Sequence, residues 1–346
     1  MDGATRCIEL AAKRQATIYA EIKAVLRMRS GVPLKRYERL IGKLRHAAIG
    51  IPHGKALFGP LNRILQLRPK NVYWDRCQDT KLALQDWRQL IREAARECTH
   101  SRELVPGAAA YRGTLDASGE GAGGVWLPGT ESIAPIVWRY QWPPNIVAEL
   151  ITEDNPGGTI TNSDLEMAAE VLGWLVLEGC VPLRWKHVGV CSDNSPTVAW
   201  ATRWASRKSM AANRLLRVLA TRLRVRRASP LVTKHIAGDR NTLSDIPSRS
   251  FGYKKEWHFV NDMDFLTFFN ATFPLPNKNS WTGFRLTNAV AMKVTSELLT
   301  RGSSMAEWRR LPKLGRKYGK NGKSTAEISE SLSTWTAAPS ALLQGS

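Results

Sequence analysis

A chain of 346 residues, 43% hydrophobic and 23% charged, has the composition of a folded protein with room for two or three cores, which excludes a disordered polymer. Its 50 Lys+Arg against 30 Asp+Glu leave a formal charge of +20, which favours a polyanionic partner, nucleic acid before an anionic membrane. No apolar run approaches the roughly 18 residues of a membrane span, and the N-terminus lacks a signal-peptide apolar core, so the chain reads as intracellular with no membrane partner.

Residues 1–105 read as an α-helical module with a basic outer surface. From Pro33 to Ala48, Leu34, Tyr37, Leu40, Ile41 and Leu44 share one face, while Lys35, Arg36, Arg39, Lys43 and Arg45 lie mostly on the other. Pro52 and Gly54 interrupt the pattern, Ala56 to Leu67 can resume it, and another helix is expected over Asp79–Cys98. Cys7, Cys77, Cys98, Cys180 and Cys191 are scattered without a Cys-x-x-Cys pair. Neither a zinc site nor a disulfide framework is expected, and a reducing compartment fits better.

Residues 106–250 change character after Val105-Pro106-Gly107. Strands are expected at Tyr111–Asp116, Ala122–Leu127 and Ile133–Trp138, separated by the turn chemistry of Ser118–Gly121 and Pro128–Gly129. A helix follows over Ser163–Glu178, then a buried strand at Val188–Cys191 and helices over Ser195–Ser206 and Asn213–Arg224. A last strand at Leu231–Ile236 and a short helix after Asn241 complete a mixed five-stranded sheet flanked by helices. Residues 251–346 read as a basic extension: Phe265, Phe268, Phe269 and Phe273 pack on something, and from Arg301 the chain becomes basic, then Ser/Thr/Ala-rich and loose.

Four carboxylates stand out: Asp116 and Asp193 close strands, Glu166 rides the helix, and Asp245 follows the last strand. Taken singly, Asp116 and Asp193 suit turns, Asp245 suits a helix cap, and Glu166, three residues after Ser163, suits a capping box. Their joint order resembles the ribonuclease H pattern. His235-Ile236-Ala237-Gly238-Asp239-Arg240-Asn241 followed by Leu243-Ser244-Asp245-Ile246-Pro247-Ser248-Arg249 is similar to the last motif of retroelement ribonuclease H domains, with Ser244 where that family usually has Ala. Arg39 to Ala47, with Ile51-Pro52 and Phe58 behind it, resembles the segment joining polymerase to ribonuclease H in retrotransposon reverse transcriptases. The resemblance covers roughly residues 30–250 and is most specific in the last motif.

The resemblance implies an α/β, ribonuclease H-like domain that cuts the RNA strand of RNA–DNA hybrids. Asp116, Glu166, Asp193 and Asp245 would be both catalytic residues and ligands of two Mg²⁺ ions, with Mn²⁺ a possible substitute. Asp116 would bridge the two ions. Hard divalent ions take oxygen ligands, and two of them about 4 Å apart can activate water and stabilise the leaving 3′ oxygen. His235 reads as structural, and Asn241 as a tether of the loop.

From Asn194 to Gly238 no acidic residue occurs, and Arg203, Arg207, Lys208, Arg214 and Arg217 are candidates to track phosphates. Trp200 and Trp204 fit the core better than a stacking platform, and the basic run from Arg301 to Lys323 suits either an arm on nucleic acid or a targeting patch. The chain lacks an Asp-Asp pair, so the polymerase half is not expected in it, and the polymerase part of the same element is a possible partner. Two other readings stand beside the nuclease: a nucleic-acid-binding remnant without turnover, and a transposase or integrase on the same fold. Those enzymes usually place the Glu last, whereas Glu166 comes second here.

Overall fold

The computed structural model describes residues 6–105, 107–229, 231–252, 257–276, 279–299 and 302–319. Helices α1 (Ala12–Arg27), α2 (Leu34–Ala47), α3 (Phe58–Leu67) and α4 (Gln78–Ala94) form the N-terminal part. Apolar spacing determines how α2 packs: Tyr37, Leu40, Ile41 and Leu44 are buried, while Lys35, Arg36, Arg39, Lys43 and Arg45 face solvent. They join Ile18, Ile22, Trp87 and Leu90 in one core, which Met305 also enters from far along the chain.

Cys7 and Cys98 form a disulfide, against the expectation of five unpaired cysteines. A two-residue antiparallel pairing, with Cys7 opposite His100 and Ile8 opposite Thr99, brings together residues 91 apart in sequence. Only the tertiary fold creates that juxtaposition, so cysteine spacing gave no sign of it.

One mixed sheet organises the rest. Its strands are β1 (Tyr111–Ala117), β2 (Gly121–Pro128), β3 (Ile136–Gln141), β4 (Val188–Ser192), β5 (Val232–His235), β6 (Thr282–Leu286) and β7 (Gly315–Tyr318). They lie in the order β7-β6-β3-β2-β1-β4-β5. The β1-β2-β3 meander is antiparallel, β4 and β5 run parallel to β1, β6 runs parallel to β3, and β7 returns antiparallel. The sheet thus has seven strands rather than the expected five. Both extra strands come from the segment read as a fading extension, whose described part is built into the sheet. Residues from Lys320 onward and Arg301 lie outside the described residues.

Helices cover both faces. On one, α5 (Asn162–Cys180) and α7 (Met210–Arg226) pack against Leu115, Trp126 and Trp138, with α10 (Asn288–Leu299) beside them. Helix α5 is apolar nearly all round, from Leu165 to Leu177, because neighbours enclose it. On the other face, Ile246 of α8 (Thr242–Ser248) and Phe265 and Phe269 of α9 (Asp262–Thr272) pack on Val125 and Val137. Helix α6 (Ser195–Arg203) follows β4, and α11 (Met305–Arg309) closes the C-terminal part. No helix among the described residues is long and apolar enough to cross a membrane.

Buried ion pairs tie these layers together. Glu178 on α5 accepts from Arg222 Nε at 3.1 Å, and the same guanidinium donates to the carbonyls of Trp308 at 2.6 Å and Arg309 at 3.1 Å. On the opposite face, Arg139 of β3 donates to the carbonyls of Ser250 at 3.3 Å and Phe259 at 3.1 Å and pairs with Asp262 at 3.3 Å. It thereby pins the chain leaving α8 onto the sheet.

Trp308, only 1% exposed, donates its indole N–H to Glu297 at 2.9 Å. Because α11 packs in the main core, Trp308→Ala should lower the unfolding free energy by about 3–5 kcal/mol, measured by urea denaturation. A change below about 0.5 kcal/mol would mean that the C-terminal segment does not pack as described.

Candidate metal centre

Three of the four carboxylates singled out by sequence converge. Asp116, Asp193 and Asp245 each present an oxygen, all within 4.8 Å of one another. Asp116 lies near the C-terminal end of β1, and Asp193 directly follows the parallel neighbour β4, so two adjacent parallel strands deliver carboxylates to the same edge. Asp245 arrives on the first turn of α8.

Strand alternation turns Asp116 and its partner Gly123 toward the α8 face. A Cβ on Gly123 would lie 2.3 Å from Pro247 Cβ and 2.7 Å from the Ser248 nitrogen. Only a glycine lets α8 lie this close to β2, and that approach brings Asp245 to Asp116. Ser248 then donates its hydroxyl to Asp116 Oδ2 and also bonds the Asp245 carbonyl at 3.0 Å, while Arg249 pairs with Asp245 at 3.0 Å.

The loop before α8 is held from within. Asn241 is fully buried, and its carbonyl accepts from the N–H groups of Ser244 at 3.0 Å and Asp245 at 3.1 Å. The hydroxyl of Ser244, fully buried, donates to the Asn241 side-chain oxygen, so Ser in place of Ala adds a bond to the loop. His235 reaches the Asp193 carbonyl through Nε2 at 3.0 Å.

Glu166 lies outside the set that meets within 4.8 Å. It is buried on α5, accepts from the Ala117 backbone N–H, and lies close enough to Asp116 and Asp193 for their charges to act on it. It closes no capping box: α5 is capped by Thr161, whose hydroxyl accepts from Asp164 N at 3.2 Å while the Asp164 carboxylate accepts from Thr161 N at 3.0 Å.

Burial and neighbouring charge raise the pKa values of Asp116, Glu166 and Asp245. Asp116 is pushed up to about 6, chiefly by burial, with the Asp245 and Asp193 charges adding to the rise and the Ser248 bond opposing it. Glu166 is raised well above the usual carboxylate range, by burial first and then by Asp116 and Asp193. Burial also raises Asp245, against the pull of Arg249. Converging oxygen donors alone fit a hard divalent cation such as Mg²⁺ or Mn²⁺.

The basic candidates divide. Arg203, Arg207 and Lys208 are exposed around the turn between α6 and α7. Arg214 and Arg217 face inward, which corrects their expected place on the phosphate-tracking surface. Arg214 donates to the carbonyls of Glu297 at 2.7 Å and Leu298 at 3.2 Å, and Arg217, 2% exposed, pairs with Asp86 at 3.4 Å. Trp204 is buried, whereas Trp200 is half-buried. Of the groups the sequence did not reveal, Gly123 had a local signal, since a Gly-Ala-Gly-Gly run in a strand marks a close backbone approach. The Arg139 clamp had none.

No family model and no curated protein matches this chain. Among solved structures it is similar to a foamy viral protease–reverse transcriptase (dRH) in complex with double-stranded DNA, at 8% identity and a TM-score of 0.24. The match covers 66% of this chain and 35% of that one, and at that score it carries no weight for fold or function.

The raised carboxylates fix the sign of the pH dependence. Between the unfolded Asp pKa of 3.8 and the folded value of about 6 for Asp116, the native state holds more protons than the unfolded state, so stability falls as pH rises through this window. In metal-free protein the unfolding free energy should decline from pH 4 to about 6, at up to ~1.4 kcal/mol per pH unit from this one group. Asp116→Asn should remove part of the slope, leaving the parts from Glu166 and Asp245, which burial also raises, and from buried Asp86 and Glu170, raised to about 6 and about 7. Saturating Mg²⁺ should flatten the dependence, and a slope unchanged in Asp116→Asn would refute the assignment.

Gly123→Ala should displace α8 and weaken Mn²⁺ binding, followed by titration calorimetry, by about tenfold or more. Gly42→Ala, on the exposed face of α2 with nothing within 4 Å of a new Cβ, should leave binding unaltered and stabilise the fold by up to ~1 kcal/mol.

Proposed function

We propose that this protein is a metal-dependent endonuclease that hydrolyses the RNA strand of RNA–DNA hybrids, with a ribonuclease H-like domain of retroelement type. The observation that carries the reading is the meeting of Asp116, Asp193 and Asp245 within 4.8 Å at the ends of two adjacent parallel strands. The β3-β2-β1-β4-β5 order and the motif from His235 to Arg249 accompany it, as the family resemblance implies.

In this reading Asp116, Asp193 and Asp245 hold one or two Mg²⁺ ions between them, with Glu166 behind. Bound there, such ions lower the pKa of an attacking water and offset charge on the leaving 3′ oxygen. Ser248 orients Asp116 by donating to its Oδ2, and Asn241 with Ser244 fixes the turn that carries Asp245. Arg203, Arg207 and Lys208 are free of the interior and contact the sugar–phosphate backbone. Hybrid duplex is distinguished by its A-like shape and its 2′-hydroxyls rather than by base sequence.

A second reading, a nucleic-acid-binding remnant without turnover, draws on Glu166 lying outside the close group. The two are separated by incubating a labelled RNA–DNA hybrid with wild type and with Asp193→Asn, in Mg²⁺ or Mn²⁺. The nuclease reading expects metal-dependent cutting of the RNA strand that falls ~10²-fold or more in the variant. Binding without cutting by wild type, in either metal, supports the remnant instead.

A further inference from the structure

A groove of about 640 Å³ opens between the N-terminal helices and the turn joining α6 to α7. Arg45 of α2 and Arg63 of α3 stand on one wall, and Arg203, Arg207 and Lys208 on the other, where half-buried Trp200 of α6 also lines the groove. No carboxylate lines it, and none of the five cations pairs with a carboxylate among the described residues. All five are exposed.

The larger cavity beside α4, of about 950 Å³, differs in its lining: Glu93 and Glu97 stand in it, and four of its arginines are paired, Arg224 with Glu103 at 3.3 Å, Arg226 with Glu178 at 2.7 Å, Arg227 with Glu97, and Arg309 with Glu93. In the smaller groove the positive charge is left for a partner.

The groove is also held in shape. Asn213 is buried at the start of α7, accepts from Ser206 N at 3.0 Å, and donates to the carbonyls of Ser206 and Ser209, both at 2.9 Å. On the facing wall Gly59 lies against this side chain so closely that a Cβ would sit 2.1 Å from Asn213 Oδ1. The two walls therefore meet at the base with their separation fixed. Arg45 is steadied by a 3.0 Å bond to the Asn62 side-chain oxygen.

Placement relates the groove to the carboxylates. Helix α6 starts two residues after Asp193 and ends at Arg203, and at 1.5 Å per residue the span is roughly 15 Å. A strand advancing ~3.4 Å per nucleotide covers that distance in about four or five nucleotides.

We propose that this groove binds the sugar–phosphate backbone of the duplex that lies on the carboxylate cluster, about four or five nucleotides from Asp193, and that Arg45 and Arg63 supply half of the site. The N-terminal helical module is then part of the substrate-binding surface. This rests on the proposed function for the identity of the duplex, although binding and cutting are read separately.

The test is equilibrium binding of a fluorescein-labelled 20-base-pair RNA–DNA hybrid to the full chain, without divalent cation, across a range of salt concentrations. Wild type is compared with Arg45→Ala/Arg63→Ala and with Lys23→Ala/Arg27→Ala, which removes two exposed cations from α1 instead. Each phosphate contact contributes about 0.9 to the slope of log affinity against log salt, so the groove variant should lose about 2 from the slope and bind roughly tenfold more weakly. The α1 variant should match wild type, and all three should share one melting temperature.

Equal slopes in wild type and the groove variant would overturn the proposal, as would equal losses in the two double variants or no binding by wild type. Cleavage in Mg²⁺ by the same proteins separates this from the nuclease reading. Weaker binding by the groove variant with no cutting by wild type keeps the groove and removes the nuclease. Cutting by wild type with an unchanged slope in the groove variant does the reverse.

Discussion

Repulsion among carboxylates is the constraint on which the centre of this molecule depends. Asp116, Asp193 and Asp245 are held together although burial and neighbouring carboxylates make Asp116 and Asp245 harder to ionise, and Glu166 is buried behind them. Surrounding parts oppose the tendency to separate. Parallel pairing of β1 with β4 fixes two of the three, the Gly123 approach fixes the third, and Ser248 and Arg249 supply donors to Asp116 and Asp245. The Arg139 clamp on Ser250, Phe259 and Asp262 keeps the chain beyond α8 from lifting away. A cluster of this kind contributes nothing to stability, and its cost is borne by packing elsewhere.

That packing draws on charge that the composition suggests would be external. Arg217 pairs with Asp86, Arg222 with Glu178, Arg224 with Glu103, and Arg227 with both Glu97 and Glu103. Each joins α7 to another element, and breaking such a pair costs more than forming it gains, because the remaining charge stays buried. Each buried pair is neutral, so the formal charge of +20 rests on the remaining cations, among them exposed ones on α1, α2 and α3 and around the turn after α6.

Legibility in the sequence followed the range of the forces involved. The meander from Tyr111 to Gln141 was visible because alternation and turn residues are local, and α2 because its apolar stripe repeats within the helix. The convergence of Asp116, Asp193 and Asp245 follows the motif order, whereas Glu166, expected as a fourth ligand, lies on the expected helix but outside the close group. Strands β6 and β7 were missed because Thr282–Leu286 and Gly315–Tyr318 are short and carry Gly and Arg; their β character comes from the free edge of β3, which no local pattern reports. The inward arginines were misread for the same reason. A basic residue on a helix looks alike in sequence whether it meets solvent or Glu178. The Cys7–Cys98 pair likewise exists only through tertiary contact.

The basic groove and the acidic cluster impose opposite demands on a bound backbone. In the proposed binding mode phosphates would be drawn to Arg45, Arg63, Arg203, Arg207 and Lys208, but the same strand would meet three carboxylates at the far end of α6. With a separation of roughly 15 Å against a Debye length of about 8–10 Å, the groove cations are largely screened from the cluster and cannot offset that repulsion. A strand that touches both places would therefore be held more firmly with positive charge at the carboxylates themselves, and a divalent cation held by Asp116, Asp193 and Asp245 is the form of it that this donor set accepts. For a binding protein without turnover the cluster would be a handicap, since Asn at any of the three positions would ease both folding and backbone approach. Under the proposed function, three carboxylates where phosphates would arrive make physical sense when a cation held there is put to use on the phosphodiester.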